Sequence, residues 1–124
     1  MKAKKLFYKE CHLAGRQYHD CDEVFDELKV GTELCLVYDE DNRFDRNAVA
    51  VIYKRPDALR QPGSDEEDNE FLLGYIPRNE NGTISNLLQM GWDNIFECRI
   101  CKIDPTAHYE QQIFLSLKVK RRKG

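Results

Sequence analysis

The sequence predicts a small, mainly β domain, a closed or nearly closed barrel of five to six strands with one or two short helices. Three observations carry that reading. Apolar residues recur with period two in several short runs, β-branched residues cluster in another, and groups of Gly, Pro, Asn and Asp separate the runs. The 124 residues are 41% apolar, 10% aromatic and 33% charged, the balance of one soluble domain with a single core. No apolar run approaches the roughly 18 residues that a membrane helix needs. Met1-Lys2-Ala3-Lys4-Lys5 leads into no apolar signal core, so the expected location is the cytoplasm, with no membrane partner.

Taken in order, residues 5–14 form a β-prone stretch that stops at Ala14-Gly15. A connector follows from Arg16 to Gly31, in which Asp22–Leu28 can make a helical turn or two. Residues 32–38 alternate apolar and polar, and residues 48–54 read as a buried strand because Val49, Val51 and Ile52 sit among small apolar neighbours. The polar loop of residues 39–47 makes these two runs a hairpin. Residues 55–70 hold Pro56, Pro62, Gly63, Ser64 and six carboxylates against Arg60 and Arg55, the composition of a mobile, dispensable extension of the next hairpin. Residues 71–76 give a further strand, stopped by Pro77, and residues 79–82 a turn. Thr83 is the expected N-cap of a helix over residues 84–90, with Ile84, Leu87 and Leu88 on one face and Gly91 at its stop. Residues 94–103 and 111–119 are long strands joined around Pro105-Thr-Ala-His108. The expected unit is one domain over residues 1–124, with a core from about 6 to 118, an acidic insertion at 55–70 and a basic tail at 118–124.

Net charge is −3, but the charges are segregated. Lys2, Lys4, Lys5 and Lys9 crowd one end and Lys118, Lys120, Arg121, Arg122 and Lys123 the other. Such ends attract a polyanion at short range or act as solubility tails.

Motifs for catalysis or metal binding fail one by one, so neither an enzyme nor a cofactor is expected. Five cysteines, an odd number, argue for reduced thiols over a disulfide framework. Cys98 and Cys101 lie on a predicted strand, where residues three apart face opposite ways and cannot chelate one ion, and Cys11, His12, His19 and Cys21 do not repeat the spacing. The run from Asp39 starts like a calcium loop but meets Arg43 and Phe44 where an oxygen ligand and a glycine belong. Asp39, Asp41 and Asp45 could gather a hard cation in the manner of a metal nuclease, yet Arg43 and Arg46 compete for them. His12, His19 and His108 would have to converge on one phosphate to cleave RNA, and isolated surface positions are expected instead.

The aromatic residues are more informative. Tyr18 in a polar turn, Phe44 in the hairpin loop and Tyr75 just before Pro77 accompany Arg16, Arg43, Arg46 and Arg78. Rings on which bases stack and cations that hold phosphates are what single-strand binding requires.

The same residues carry a resemblance. Leu13-Ala-Gly-Arg-Gln-Tyr18, Gly31-Thr-Glu-Leu-Cys-Leu36, Asp41-Asn-Arg-Phe-Asp-Arg-Asn-Ala-Val-Ala-Val51 and Leu73-Gly-Tyr-Ile-Pro-Arg78, with Ile84 and Leu87-Leu88 following, resemble the HIRAN domain over about residues 6–118. The resemblance implies an OB-like β-barrel whose pocket receives the 3′-hydroxyl end of single-stranded DNA in repair or replication. A separate helicase or remodelling ATPase is the implied partner. By the same resemblance Tyr18 stacks on a terminal base, Phe44 occupies a tyrosine's place in the pocket, and Asp45 accepts a hydrogen bond from the terminal hydroxyl. Tyr75 and Arg78 supply further pocket and phosphate contacts. Gln17 stands where an animal relative has arginine, a loss that Arg16 or Arg43 would make good. Asn42 and Asn47 are expected to bond local backbone. A reading of a different class is a protein-interaction barrel that binds no nucleic acid.

Overall fold

The computed structural model describes residues 3–121; Lys2 and the last part of the basic tail, Arg122 to Gly124, lie outside the described residues. Six strands, β1 (Lys5–His12), β2 (Glu33–Tyr38), β3 (Val49–Lys54), β4 (Glu70–Tyr75), β5 (Phe96–Ile103) and β6 (Ile113–Lys120), form one sheet in the order β1-β6-β5-β2-β3-β4. Every pairing is antiparallel. Two short helices, α1 (Cys21–Val24) and α2 (Gly82–Gln89), interrupt the strand sequence. No helix among the described residues is long and apolar enough to cross a membrane.

Period two decides which side chains enter the core. In β6, Ile113, Leu115 and Leu117 are fully buried while Phe114 and Ser116 are not, the pattern of an antiparallel strand with one covered face. β3 buries Val49, Ala50, Val51 and Tyr53. Leu13, Val24, Leu73, Ile76, Ile84 and Ile100 complete a single continuous core.

The sheet curls without closing along a full ladder. Its two outer strands meet at one antiparallel bridge beyond the end of β1, where Ala14 and Tyr75 each donate a backbone N–H to the other's carbonyl at 2.9 Å. Gly74 makes this approach possible, because a Cβ built there would lie 2.4 Å from the Ala14 carbonyl oxygen. The structure is therefore a mainly β, OB-like fold of six strands.

Three local readings differ from the sequence expectation or sharpen it. Helix α2 starts at Gly82, so Thr83 lies inside its first turn and is not the N-cap; Asn81 holds that position without a capping side-chain bond, its amide being engaged elsewhere. The other end is as expected: Gly91 has φ +91°, and the N–H groups of Gly91 and Trp92 return to the carbonyls of Leu88 and Leu87. Residues 55–70 do extend the β3–β4 hairpin, but the acidic run is fastened from within. Buried Asn69 donates to Ser64 Oγ and the Asp65 carbonyl at 3.0 and 2.7 Å, and Arg60 pairs with Glu66 at 2.6 Å. Polar side chains bonding nearby backbone here replace an apolar anchor.

On β5 Glu97 is buried between Lys5 and Arg99, the latter at 2.5 Å. Hydrogen bonds from those two cations lower its pKa from 4.5 to about 2. A carboxyl whose folded pKa is depressed stabilises the fold above its unfolded value and loses that contribution as pH falls through the folded value. Urea midpoints of the wild type should therefore fall between pH 4.5 and 2 more steeply than those of Glu97→Gln; parallel pH profiles would contradict this assignment. Gly74→Ala should force Ala14 away from Tyr75 and cost about 1–3 kcal/mol in chemical denaturation, and an unchanged midpoint would remove the bridge from the account of the fold.

Candidate nucleic-acid interface

Three segments converge on the Ala14–Tyr75 bridge: the turn after β1, the β2–β3 loop and the end of β4. They enclose an open cleft of about 220 Å³ lined by Ala14, Gly15, Asn42, Phe44, Asp45, Ala48, Tyr75, Ile76 and Arg78. Of the residues singled out from sequence, Phe44, Asp45, Tyr75 and Arg78 thus share one site.

Asn42 organises the loop. Its Oδ1 accepts the N–H groups of Phe44 and Asp45 at 2.9 and 3.0 Å, a side-chain turn that asparagine is suited to make. Tyr38 closes the loop's other side by donating its hydroxyl to the Arg46 carbonyl at 2.9 Å. Phe44 is consequently displayed from an ordered turn with its side chain 88% exposed. The ring thus faces solvent at the edge of the cleft, and an exposed aromatic face of this kind is open to stacking.

Asp45 is held at both oxygens. Oδ1 accepts the Asn47 N–H at 2.9 Å, and Oδ2 accepts the amide of Asn81 at 2.8 Å. An ionised carboxylate has about four acceptor positions, so each oxygen keeps capacity for a donor that enters the cleft. Asn81 is only 2% exposed, and its role had no sequence signal, because the run from Asn79 to Gly82 reads simply as a turn. Asp39 is similar: it accepts the Tyr75 hydroxyl at 2.7 Å. Burial, and then the bond to Asp39, hold the Tyr75 phenol above its ordinary pKa, so the ring faces the cleft as a neutral wall.

Tyr18, Gln17, Arg43 and Arg16 do not line the cleft. Tyr18 and Gln17 are exposed on the 3-10 turn Arg16–Tyr18, which leaves directly from Gly15 at φ +70°. His19 follows and packs its ring on Tyr75 at 5.4 Å between centroids, so the Tyr18 ring, 75% exposed, stands beside the cleft. Arg43 is exposed on the loop next to Phe44.

Arg16 corrects the sequence reading that made it a surface cation. It is 2% exposed, and its guanidinium bonds Asp22 at 2.5 Å and Cys21 Sγ at 3.3 Å. The Phe25 and Tyr109 rings cover it at 4.8 and 5.0 Å. Burial desolvates a guanidinium at a cost that only such partners offset, so Arg16 fastens the turn to α1 and to the β5–β6 connection. Glu110 assists from that connection, accepting the Gly15 N–H at 2.9 Å while its other oxygen lies 3.3 Å from His12 Nε2.

The remaining candidates scatter. Asp39 and Asp45 are committed to different partners, and among the described residues no group of three or more His, Cys, Asp or Glu is placed to hold a metal. His12 and His108 both attend Glu110, whereas His19 lies on Tyr75. Cys98 is buried and Cys101 donates to Glu10 at 3.0 Å.

The HIRAN domain profile matches residues 6–120, spanning the bridge, the Asn42 turn and the Asp45 loop. The chain belongs to the HIRAN family. HIRAN domains are nucleic-acid-binding modules. Among solved structures, the HIRAN fold seen here is similar to a crystal structure of a Lactobacillus plantarum protein, at 20% identity and TM-score 0.67, covering 94% of this chain and 97% of that one. It is also similar to the crystal structure of the HIRAN domain of human HLTF, at 12% identity and TM-score 0.54, covering 98% and 84%. These superpositions show the shared fold alone. No curated protein sequence matches the chain.

Arg16→Ala should lower stability by about 3 kcal/mol or more, since it removes a buried, paired and stacked group. A variant with the wild-type melting temperature and weakened nucleic-acid binding would return Arg16 to the contact surface.

Proposed function

We propose that this HIRAN domain captures the 3′-hydroxyl end of single-stranded DNA and serves repair or replication beside a separate helicase or remodelling ATPase. The observation that carries this reading is Asp45, a carboxylate fixed by Asn47 and Asn81 in a cleft that also holds an exposed ring and an arginine. A carboxylate repels an internal phosphate, but it accepts a hydrogen bond from a free hydroxyl, and a charged acceptor makes that bond stronger than a neutral one. The terminal base stacks on Phe44, with Tyr18 beside the cleft for the same base or its neighbour. Arg78 and Arg43 meet the phosphates, Gln17 lies on the Tyr18 turn, and Tyr75 forms the wall behind.

Stacking contributes about 1–3 kcal/mol per base. Two rings and a few phosphate contacts then correspond to micromolar affinity with a marked salt dependence.

Fluorescence anisotropy with a labelled oligonucleotide tests the reading. A free 3′-hydroxyl should bind about ten- to a hundredfold tighter than a 3′-phosphate, the range of one hydrogen bond to a charged group, and Asp45→Ala should abolish that preference. Asn81→Ala should reduce it while leaving Phe44 and Arg78 untouched. Equal affinity for both ends would refute end capture, and no binding to either would transfer the function to a protein partner.

A further inference from the structure

The basic residues at the two ends of the sequence take no part in the cleft described above, yet the sheet brings them together. β1 and β6 pair antiparallel with Lys5 opposite Lys120 and Leu6 opposite Val119, and the Arg121 N–H donates to the Lys4 carbonyl at 2.8 Å. Like charges directly opposite oppose the ladder. Glu97 offsets this for Lys5, but neither Lys4 nor Lys120 is ion-paired with a carboxylate among the described residues. Two ends that are far apart in sequence thus become one positive field.

That field borders a cleft of about 470 Å³ lined by Gly91, Trp92, Asp93, Asn94, Ile95, Lys120 and Arg121. A second cleft of about 220 Å³, which includes Lys4 and Lys5, shares Lys120 and Arg121 with it. Trp92 is 42% exposed, so an indole, two cations and a single opposing carboxylate, Asp93, line one concavity. Indole is the strongest cation and base-stacking partner among side chains, and a ring combined with cations is the chemistry of a nucleotide contact.

Helix α2 connects this cleft to the first. It starts after Asn81, which bonds Asp45, and it ends at Gly91, where the Trp92 N–H returns to Leu87. The first cleft holds Ala14, whereas Lys5 lines the cleft that shares Lys120 and Arg121 with the second, about 30 Å away along extended β1. A strand that joins the two needs more than about four nucleotides and still falls within the site of about 4–16 that an OB fold occupies. We infer that the Trp92–Lys120–Arg121 cleft is a second contact for single-stranded DNA, taking an internal nucleotide of the strand whose 3′ end occupies the Asp45 cleft. This rests on the end-capture reading for its ligand class, and on separate residues for its evidence.

Trp92 is the sole tryptophan, so its emission reports this cleft alone. The full chain is titrated with 3′-hydroxyl single-stranded DNA of about 4 and about 12 nucleotides, the lower and middle range of an OB site, following anisotropy and emission together. Both oligonucleotides should bind, but the longer alone should change Trp92 emission. Lys4→Gln combined with Lys120→Gln should weaken the longer oligonucleotide about tenfold and reduce its salt slope by about 1.4, two cations at about 0.7 each, without affecting the shorter. Asp45→Ala should lose hydroxyl preference and keep the emission change. Tight binding of the longer oligonucleotide with silent Trp92 and an unaffected double variant would overturn this inference and leave end capture standing. Absence of binding to either oligonucleotide would overturn both. An equal emission change with polyglutamate would overturn the assignment to nucleic acid.

Discussion

Two backbone hydrogen bonds between Ala14 and Tyr75 constrain the rest of this molecule. A six-stranded sheet with β1 and β4 at its edges has two rows of unpaired backbone groups, a liability that proteins shorten, cover or close. Here the edges converge at one point, and the contact depends on the absence of a side chain at Gly74. The cleft lies where they meet: Ala14 and Gly15 come from one edge, Tyr75 and Ile76 from the other. Architecture and candidate site are therefore the same feature seen at two scales.

The polar groups around the cleft act by fixing geometry in advance. Asn42 sets the turn that presents Phe44, Asn81 and Asn47 orient Asp45, and Asp39 occupies the Tyr75 hydroxyl. Each bond is modest in net stability, about 0.5–1.5 kcal/mol. Their larger effect is to reduce the ordering that a ligand must otherwise bring about on binding. Arg16 belongs to the same logic one layer deeper, since its stacking between Phe25 and Tyr109 ties the Tyr18 turn to two distant segments.

Most of the fold was legible because the strands obey simple periodicities. The alternation in β2 and the β-branched run in β3 located both strands within two residues. Gly91 marked the end of α2 for the conformational reason that its φ requires. In the cleft, Phe44, Asp45, Tyr75 and Arg78 were found from residue type and motif, and the structure brings them together. What sequence could not supply was partnership across the chain. Arg16 sits among polar residues and reads as exposed until Tyr109, some ninety positions later, is seen to cover it. Asn81 reads as a turn residue until its bond to Asp45 is visible. The acidic extension looks loose because its anchor, Asn69, is a polar residue whose burial has no periodic signature.

The pairing of β1 with β6 also has an architectural outcome. Because the Arg121 N–H bonds the Lys4 carbonyl and the Arg121 guanidinium reaches the Ala3 carbonyl, the described chain enters and leaves the fold side by side. Adjacent ends make a domain a cassette, able to be spliced into a longer polypeptide or joined to a neighbour through either end. The Asp45 cleft, built from the bridge and the β2–β3 loop, takes none of its lining from the segments where the described chain enters and leaves.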